Sequence, residues 1–240
     1  MPMLRLDRIL SVYTAYSRRE GSERIKKGRI RVNGSVCLDP SARFEPEGLR
    51  LDCDGSERIL HENNTFLLNK PAGFVSATED PKEKTVLDLI RQEDRFPALF
   101  PAGRLDKDTT GLLLLTSDGA LCHRIISPSA RIYKLYRAEV NGPLTEEDAL
   151  AFAAGLELDG GEICRPAELE ILKSGEKSEA LVRICEGKYH QIKRMFAARG
   201  LMVLQLKREA VGGLTLPPDL KEGDYIRLDE AALRQLFSTK

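Results

Sequence analysis

The run Gly103-Arg104-Leu105-Asp106-Lys107-Asp108-Thr109-Thr110-Gly111-Leu112-Leu113-Leu114-Leu115-Thr116 places an acidic side chain in a glycine-bracketed turn just before a fully apolar strand. Asp106 is thereby isolated at the mouth of that strand, with cationic Arg104 and Lys107 beside it. A carboxylate held among cations can stay ionised and attack an electron-poor carbon. Aspartates in turns more often cap backbone amides, so the rest of the chain has to decide between the two roles.

Upstream of this run, Phe66-Leu67-Leu68 reads as a strand, Asn69-Lys70-Pro71-Ala72-Gly73 as a turn and Phe74-Val75 as the next strand. Downstream, Asp118 is placed to cap a helix through Ile126, Lys134 to Val140 alternates, and Thr145-Glu146-Glu147-Asp148 has the form of a capping box for a helix ending before Gly155. Leu169 to Leu172 and Ala180 to Cys185 form paired strands around a Ser174-Gly175 turn. A basic helix runs from about His190 to Arg199 and stops at Gly200. Val203 to Leu206, Leu214 to Leu216 and Tyr225 to Leu228 supply late strands, and Ala231 to Phe237 a last helix. Several strands are joined by turns too short for parallel crossovers, so the class is α+β with a mixed, mainly antiparallel sheet.

The N-terminal part has another character. Leu4, Ile9, Leu10 and Val12 mark one short helix, and Ser17 opens a second that ends near Gly28. Arg29 to Val32, the Asn33-Gly34 turn and Ser35 to Leu38 make a β-hairpin. Net charge over all 240 residues is zero, yet this segment is basic, with Arg18, Arg19, Arg24, Lys26 and Lys27 clustered on the second helix. An αα unit feeding a hairpin gives a compact basic face of a size to meet an RNA helix. From Ser56 to Asn64 the composition turns polar without apolar period, which predicts a linker there and two domains, 1–58 and 62–240.

The five cysteines are scattered and odd in number, which argues against a disulfide framework and a zinc site and fits a reducing cytoplasm. No apolar stretch is long enough to span a bilayer, and Arg5, Asp7 and Arg8 interrupt any signal-peptide core. His61, His123 and His190 lack ligand spacing, so no metal is expected. A calcium-loop reading of the run from Asp106 fails because Ser117 stands where glutamate is needed.

Taken in order, five segments resemble the motifs of RNA pseudouridine synthases, in the branch that modifies ribosomal RNA. They are Asn69-Lys70-Pro71, the Asp106 run itself, Lys134-Leu135-Tyr136-Arg137-Ala138, Glu186-Gly187-Lys188-Tyr189-His190-Gln191-Ile192-Lys193-Arg194-Met195-Phe196, and Gly212-Gly213-Leu214. The N-terminal module resembles the S4-like domain often fused ahead of that catalytic domain. Ser76, Asp80-Pro81, Thr85-Val86-Leu87, His123-Arg124-Ile125 and Ser127-Pro128 bring the set nearest to enzymes acting on 16S RNA of the small subunit, in bacteria.

The resemblance implies isomerisation of uridine to pseudouridine without any cofactor. Asp106 would be the nucleophile, attacking either C1′ or the uracil C6, and Tyr136 would lie against the target base. Lys193 or its neighbour Arg194 would pair with Asp106. Arg104 would help extrude the nucleotide, which must leave its stack to be reached, and Leu214 would wall the base pocket. RNA contacts are expected from Arg104, Arg194 and the basic cluster at Arg18, Arg19, Arg24, Lys26 and Lys27. The implied partner is ribosomal RNA, free or in an assembling small-subunit particle, with the protein a cytoplasmic monomer bound to no membrane. A large-subunit target and a non-catalytic RNA-binding assembly factor are the alternatives.

Overall fold

The computed structural model describes residues 3–14, 16–61, 64–95 and 98–238. The chain divides into two compact units, Met1–Asn64 with Ile90–Leu99, and Thr65–Leu89 with Phe100–Lys240. Residues 62 and 63, where the expected boundary falls, lie outside the described residues.

The first unit opens with β1 (Leu4–Arg5), α1 (Leu6–Tyr13) and α2 (Arg18–Lys26). Helix α1 buries Leu6, Ile9, Leu10 and Tyr13, the three-and-four spacing of an amphipathic helix. At the start of α2 the Ser17 hydroxyl accepts from the Glu20 amide while the Glu20 carboxylate accepts from the Ser17 amide, a closed capping box. Then come β2 (Ile30–Val32), β3 (Ser35–Val36), β4 (Arg43–Phe44), β5 (Arg50–Cys53) and β6 (Ser56–Ile59). Four of them form a sheet in the order β3-β2-β5-β6, and β1 pairs with β4. The expected hairpin turn at Asn33-Gly34 is present, with φ of 50° and 83°.

Strand β6 corrects the expectation of a linker beginning at Ser56. Asp54 and Gly55 both take positive φ, the hairpin geometry that sends the chain back along β5. As an edge strand β6 leaves Ser56, Glu57 and Ile59 exposed, so it has no apolar alternation to reveal it.

The second unit contains β7 (Phe66–Lys70), β8 (Phe100–Pro101), β9 (Thr110–Thr116), α3 (Gly119–Ile126), β10 (Lys134–Asn141), α4 (Glu146–Ala154), β11 (Glu168–Lys173), β12 (Lys177–Ile184), α5 (Gln191–Ala197), β13 (Val203–Val211), β14 (Leu214–Thr215), β15 (Tyr225–Arg227) and α6 (Glu230–Gln235). Its sheet runs β11-β12-β10-β13-β9-β7-β15, with β8 on β9 and β14 on β13. The pairings are antiparallel except β13 with β9, where Lys207 and Arg208 run parallel to Thr110 and Gly111. The class is thus α+β, with a small helix-and-hairpin unit ahead of a mixed, mainly antiparallel sheet.

Strand β9 is central, and Leu112 to Leu115 are all buried. Leu112 and Leu114 pack with Leu121 and Ile125 of α3, Val211, Leu214 and Leu236. On α4 and α5, Phe152 meets Phe196 with ring centroids 5.1 Å apart. The Gly212-Gly213 pair exists because the backbone at the end of α6 crosses there: a Cβ on Gly212 would lie 1.9 Å from the Leu236 carbonyl oxygen. Phe74-Val75 is not a strand. Val75 makes only an isolated bridge to Thr85, and the next residue, Ser76, spends its hydroxyl on the Asp106 loop.

Candidate active site

The loop ahead of β9 is fastened from three directions. Ser76 Oγ donates to the Leu105 carbonyl at 2.8 Å and accepts from the Leu105 amide at 3.0 Å. The Gly73 amide donates to the Lys107 carbonyl. Lys70, fully buried at the end of β7, aims its ammonium at the carbonyls of Pro71, Asp106, Lys107 and Thr109, at 2.8 to 3.2 Å. Burial pushes Lys70 down to about 8, against the opposing charges of Asp108 and Asp106. Three ammonium protons shared among four carbonyls fix the backbone on either side of Asp106 and leave its carboxylate free to point outward.

That carboxylate meets α5. Lys193 Nζ lies 3.2 Å from Asp106 Oδ2 and 2.6 Å from Asp108 Oδ1, and His190 Nε2 lies 3.5 Å from Asp106 Oδ1. Burial lowers the Lys193 ammonium, but the Asp108 hydrogen bond and the Asp106 charge outweigh it and the net shift is upward. The same hydrogen bond holds Asp108 below the usual carboxylate range. The Asp106 side chain keeps 27% of its surface open, so a reactant can reach a carboxylate oriented by one nitrogen at each oxygen.

The start of α5 is braced in turn. Gln191 Nε2 donates to Glu186 Oε1 at 2.6 Å, and Gln191 Oε1 accepts from the Lys188 amide at 2.9 Å. Arg194 turns away from Asp106 and pairs with Asp159 at 2.7 Å and Glu162 at 2.8 Å. Of the two adjacent cations only Lys193 is at the carboxylate.

Tyr136 is buried on β10, and its phenol oxygen accepts from Arg208 Nη1 at 3.3 Å. Arg208, itself buried, also donates from Nε to the Leu112 carbonyl at 2.7 Å. One guanidinium therefore joins Tyr136 to the strand that carries Asp106 at its mouth. Two residues before Tyr136, on the same face of β10, Lys134 is half-buried. Burial, with the Arg208 charge behind it, pushes Lys134 down to about 8.

A model of the RNA pseudouridylate synthase family matches residues 64–198. The chain belongs to that family. An S4 domain model matches residues 4–48 of the same pseudouridine synthase. It is 37% identical over 235 residues to the uncharacterised RNA pseudouridine synthase YtzG of Bacillus subtilis (strain 168), covering 97% of this chain and 98% of that one. The ribosomal small subunit pseudouridine synthase A of Escherichia coli (strain K12) is 38% identical, covering 95% of this chain and 97% of that one. A crystal structure of a pseudouridylate synthase superposes with a TM-score of 0.67 at 34% identity, covering 97% of this chain and 99% of that one.

In this pseudouridine synthase the residues singled out from sequence fall into distinct places. Asp106 and Lys193 meet directly, and Tyr136 is tied to β9 through Arg208. Arg104 is exposed on the Asp106 loop, and Leu214 is packed in the core beneath α6. Arg18, Arg19 and Lys26 on α2 and Lys27 at its C-cap are exposed, whereas Arg24 pairs with Asp54 and lies over the Tyr16 ring at 4.3 Å. Arg208 lies beyond the expected late strand, which stops at Leu206, whereas β13 continues to Val211. The alternation of Leu206, Arg208 and Ala210 put an arginine at an inward position and was the available signal. Lys70 enters the sequence expectations only as part of a motif, because nothing in its local sequence marks its ammonium as buried. No described helix is long and apolar enough to cross a membrane.

Proposed function

We propose that this pseudouridine synthase isomerises one uridine of ribosomal RNA in the small subunit of a bacterial ribosome, with Asp106 as nucleophile. The observation that carries the reading is the oriented Asp106 carboxylate, 3.2 Å from Lys193 and part-open to solvent. The relatives whose names specify the small ribosomal subunit, in Escherichia coli and in Yersinia pestis at 38% identity over 92% of this chain, support the target.

In this reading the N1 to C1′ bond breaks, a C5 to C1′ bond forms, the C5 proton leaves and N1 takes up a proton. No electrons are gained or lost, so no cofactor is required. Asp106 attacks C1′ or C6 and is released at the end. Lys193 keeps the carboxylate aimed, Tyr136 lies against the extruded uracil with its phenol within reach of the C5 proton, and Arg104 fills the vacated stack. The exposed arginines and lysines of α2 dock the first unit on RNA phosphates. The protein works as a cytoplasmic monomer.

The test is conversion of uridine in bare and partly assembled small-subunit RNA by purified protein. Asp106→Asn is expected to abolish turnover and retain RNA binding; equal turnover would exclude the proposed nucleophile. Mapping pseudouridine in ribosomal RNA from cells lacking the gene names the base. A site lost from the large subunit would move the target there, and no lost site together with intact RNA binding would favour an assembly factor.

A further inference from the structure

The ring of Tyr189 stands 76% exposed, on the segment between β12 and α5. A single exposed aromatic is ordinary on a protein surface. This one lies flat on the His190 imidazole, with centroids 3.8 Å apart and planes 18° from parallel, and that imidazole has its Nε2 3.5 Å from Asp106. The stack therefore begins at the nucleophile and ends in solvent.

The stack is also held still. His190 takes a left-handed backbone conformation, with φ of 48°, uncommon for a residue with a side chain. Around it, the Lys188 amide donates to Gln191 Oε1, Lys188 Nζ donates to the Ile163 carbonyl at 2.8 Å, and Arg194 Nη1 reaches the Tyr189 carbonyl at 3.4 Å. A large planar side chain presented to water on a braced segment loses little freedom when another ring covers it.

We propose that Tyr189, backed by His190, is the platform on which a base flanking the target uridine stacks once the target has been extruded. The inference rests on the reading of the site as one that flips a uridine toward Asp106. Extrusion leaves the neighbouring base without its partner, and unstacked bases of single-stranded RNA are commonly received on tyrosine and histidine rings. Tyr136 is buried and belongs with the extruded base. Tyr189 is too exposed to form an enclosed pocket and suits a base that remains in the strand. Every base has a π-face, so the platform contributes affinity and position more than sequence choice.

The experiment uses full-length protein in an Asp106→Asn background, with a short RNA carrying 2-aminopurine on either side of the target uridine. Stacking quenches that fluorophore, so the parent is expected to hold it dim at one flank and Tyr189→Ala to leave it bright, with Kd about tenfold weaker, as loss of one base-aromatic stack implies. Tyr189→Phe, which keeps the ring, is expected to restore both signals. Leu150→Ala, at an equally exposed site on α4, serves as the control. Equal emission and equal Kd for parent and Tyr189→Ala would overturn the platform, as would failure of phenylalanine to restore them. If Asp106 protein converts no uridine at all, the functional reading fails instead; if it does convert and Tyr189→Ala matches it in KM and emission, only this inference is lost.

Discussion

Gly111 has no side chain for two independent reasons. Its φ is +98°, and an added Cβ would sit 2.2 Å from the Arg208 carbonyl oxygen, where β9 and β13 run parallel. Gly111→Ala must break that pairing or strain it, and a loss of about 3 kcal/mol or more is expected in denaturant unfolding. Wild-type stability in that variant would mean the two strands can part freely. Lys134 carries a different signature. With its folded value near 8 and an ordinary value of 10.5, both states hold the proton below about pH 8, and the fold then bears the whole cost of burying the charge. Between those values the unfolded chain binds more proton than the folded one, so stability rises with pH across that window. Lys70, also pushed down to about 8, acts in the same window, so Lys134→Met should reduce the slope between about pH 8 and 10 in urea midpoints by about half, and an unchanged slope would show that this lysine does not contribute to it.

Among the elements, α4 shows how a local signal is joined to the tertiary structure. Asp148 accepts from the Thr145 amide at 2.9 Å, as its capping box dictates, and also from the Thr145 hydroxyl at 3.0 Å and Arg199 Nε at 2.7 Å. Burial raises its carboxyl, but Arg199 and Thr145 outweigh it and the net shift is downward. A lowered folded value means stability present above the ordinary carboxylate range and lost as pH falls through the folded value. Asp148→Asn is therefore expected to cost roughly 1.5–3 kcal/mol at pH 7, the worth of hydrogen bonds to a charged group, and the gap to the parent should close in melts below about pH 4. A gap that stays constant with pH would assign the loss to packing instead. Helix α5 draws on the same device, since Glu186 and Gln191 hold its first turn where Lys193 can reach Asp106.

At the scale of the whole molecule, neutral net charge conceals a local cluster of cations. The four exposed cations of α2 and its C-cap, Arg18, Arg19, Lys26 and Lys27, lie in the first unit, while Asp106 lies in the second. If those cations meet RNA phosphates as proposed, changing all four to glutamine should reduce the slope of log Kd against log salt by about 3, at 0.7–0.9 per contact. An unaltered slope would refute docking by α2. The helices were legible in sequence wherever a cap and a period coincided, as at Ser17, Asp118 and Thr145, because those signals are local. The Asp106 loop was legible for the same reason, since glycines and an apolar run bracket it. Strand β6, the inward Arg208 and the choice between Lys193 and Arg194 were not. An edge strand has no buried face to impose a pattern, and neighbouring helix cations differ only in direction. Sequence by itself determined most of the elements, the nucleophile candidate and the family resemblance, because each rests on signals carried within short runs of the chain. Only the tertiary structure decided which cation meets Asp106 and that Lys70 and Arg208 hold its surroundings, because those contacts join strands and helices that chain order leaves far apart.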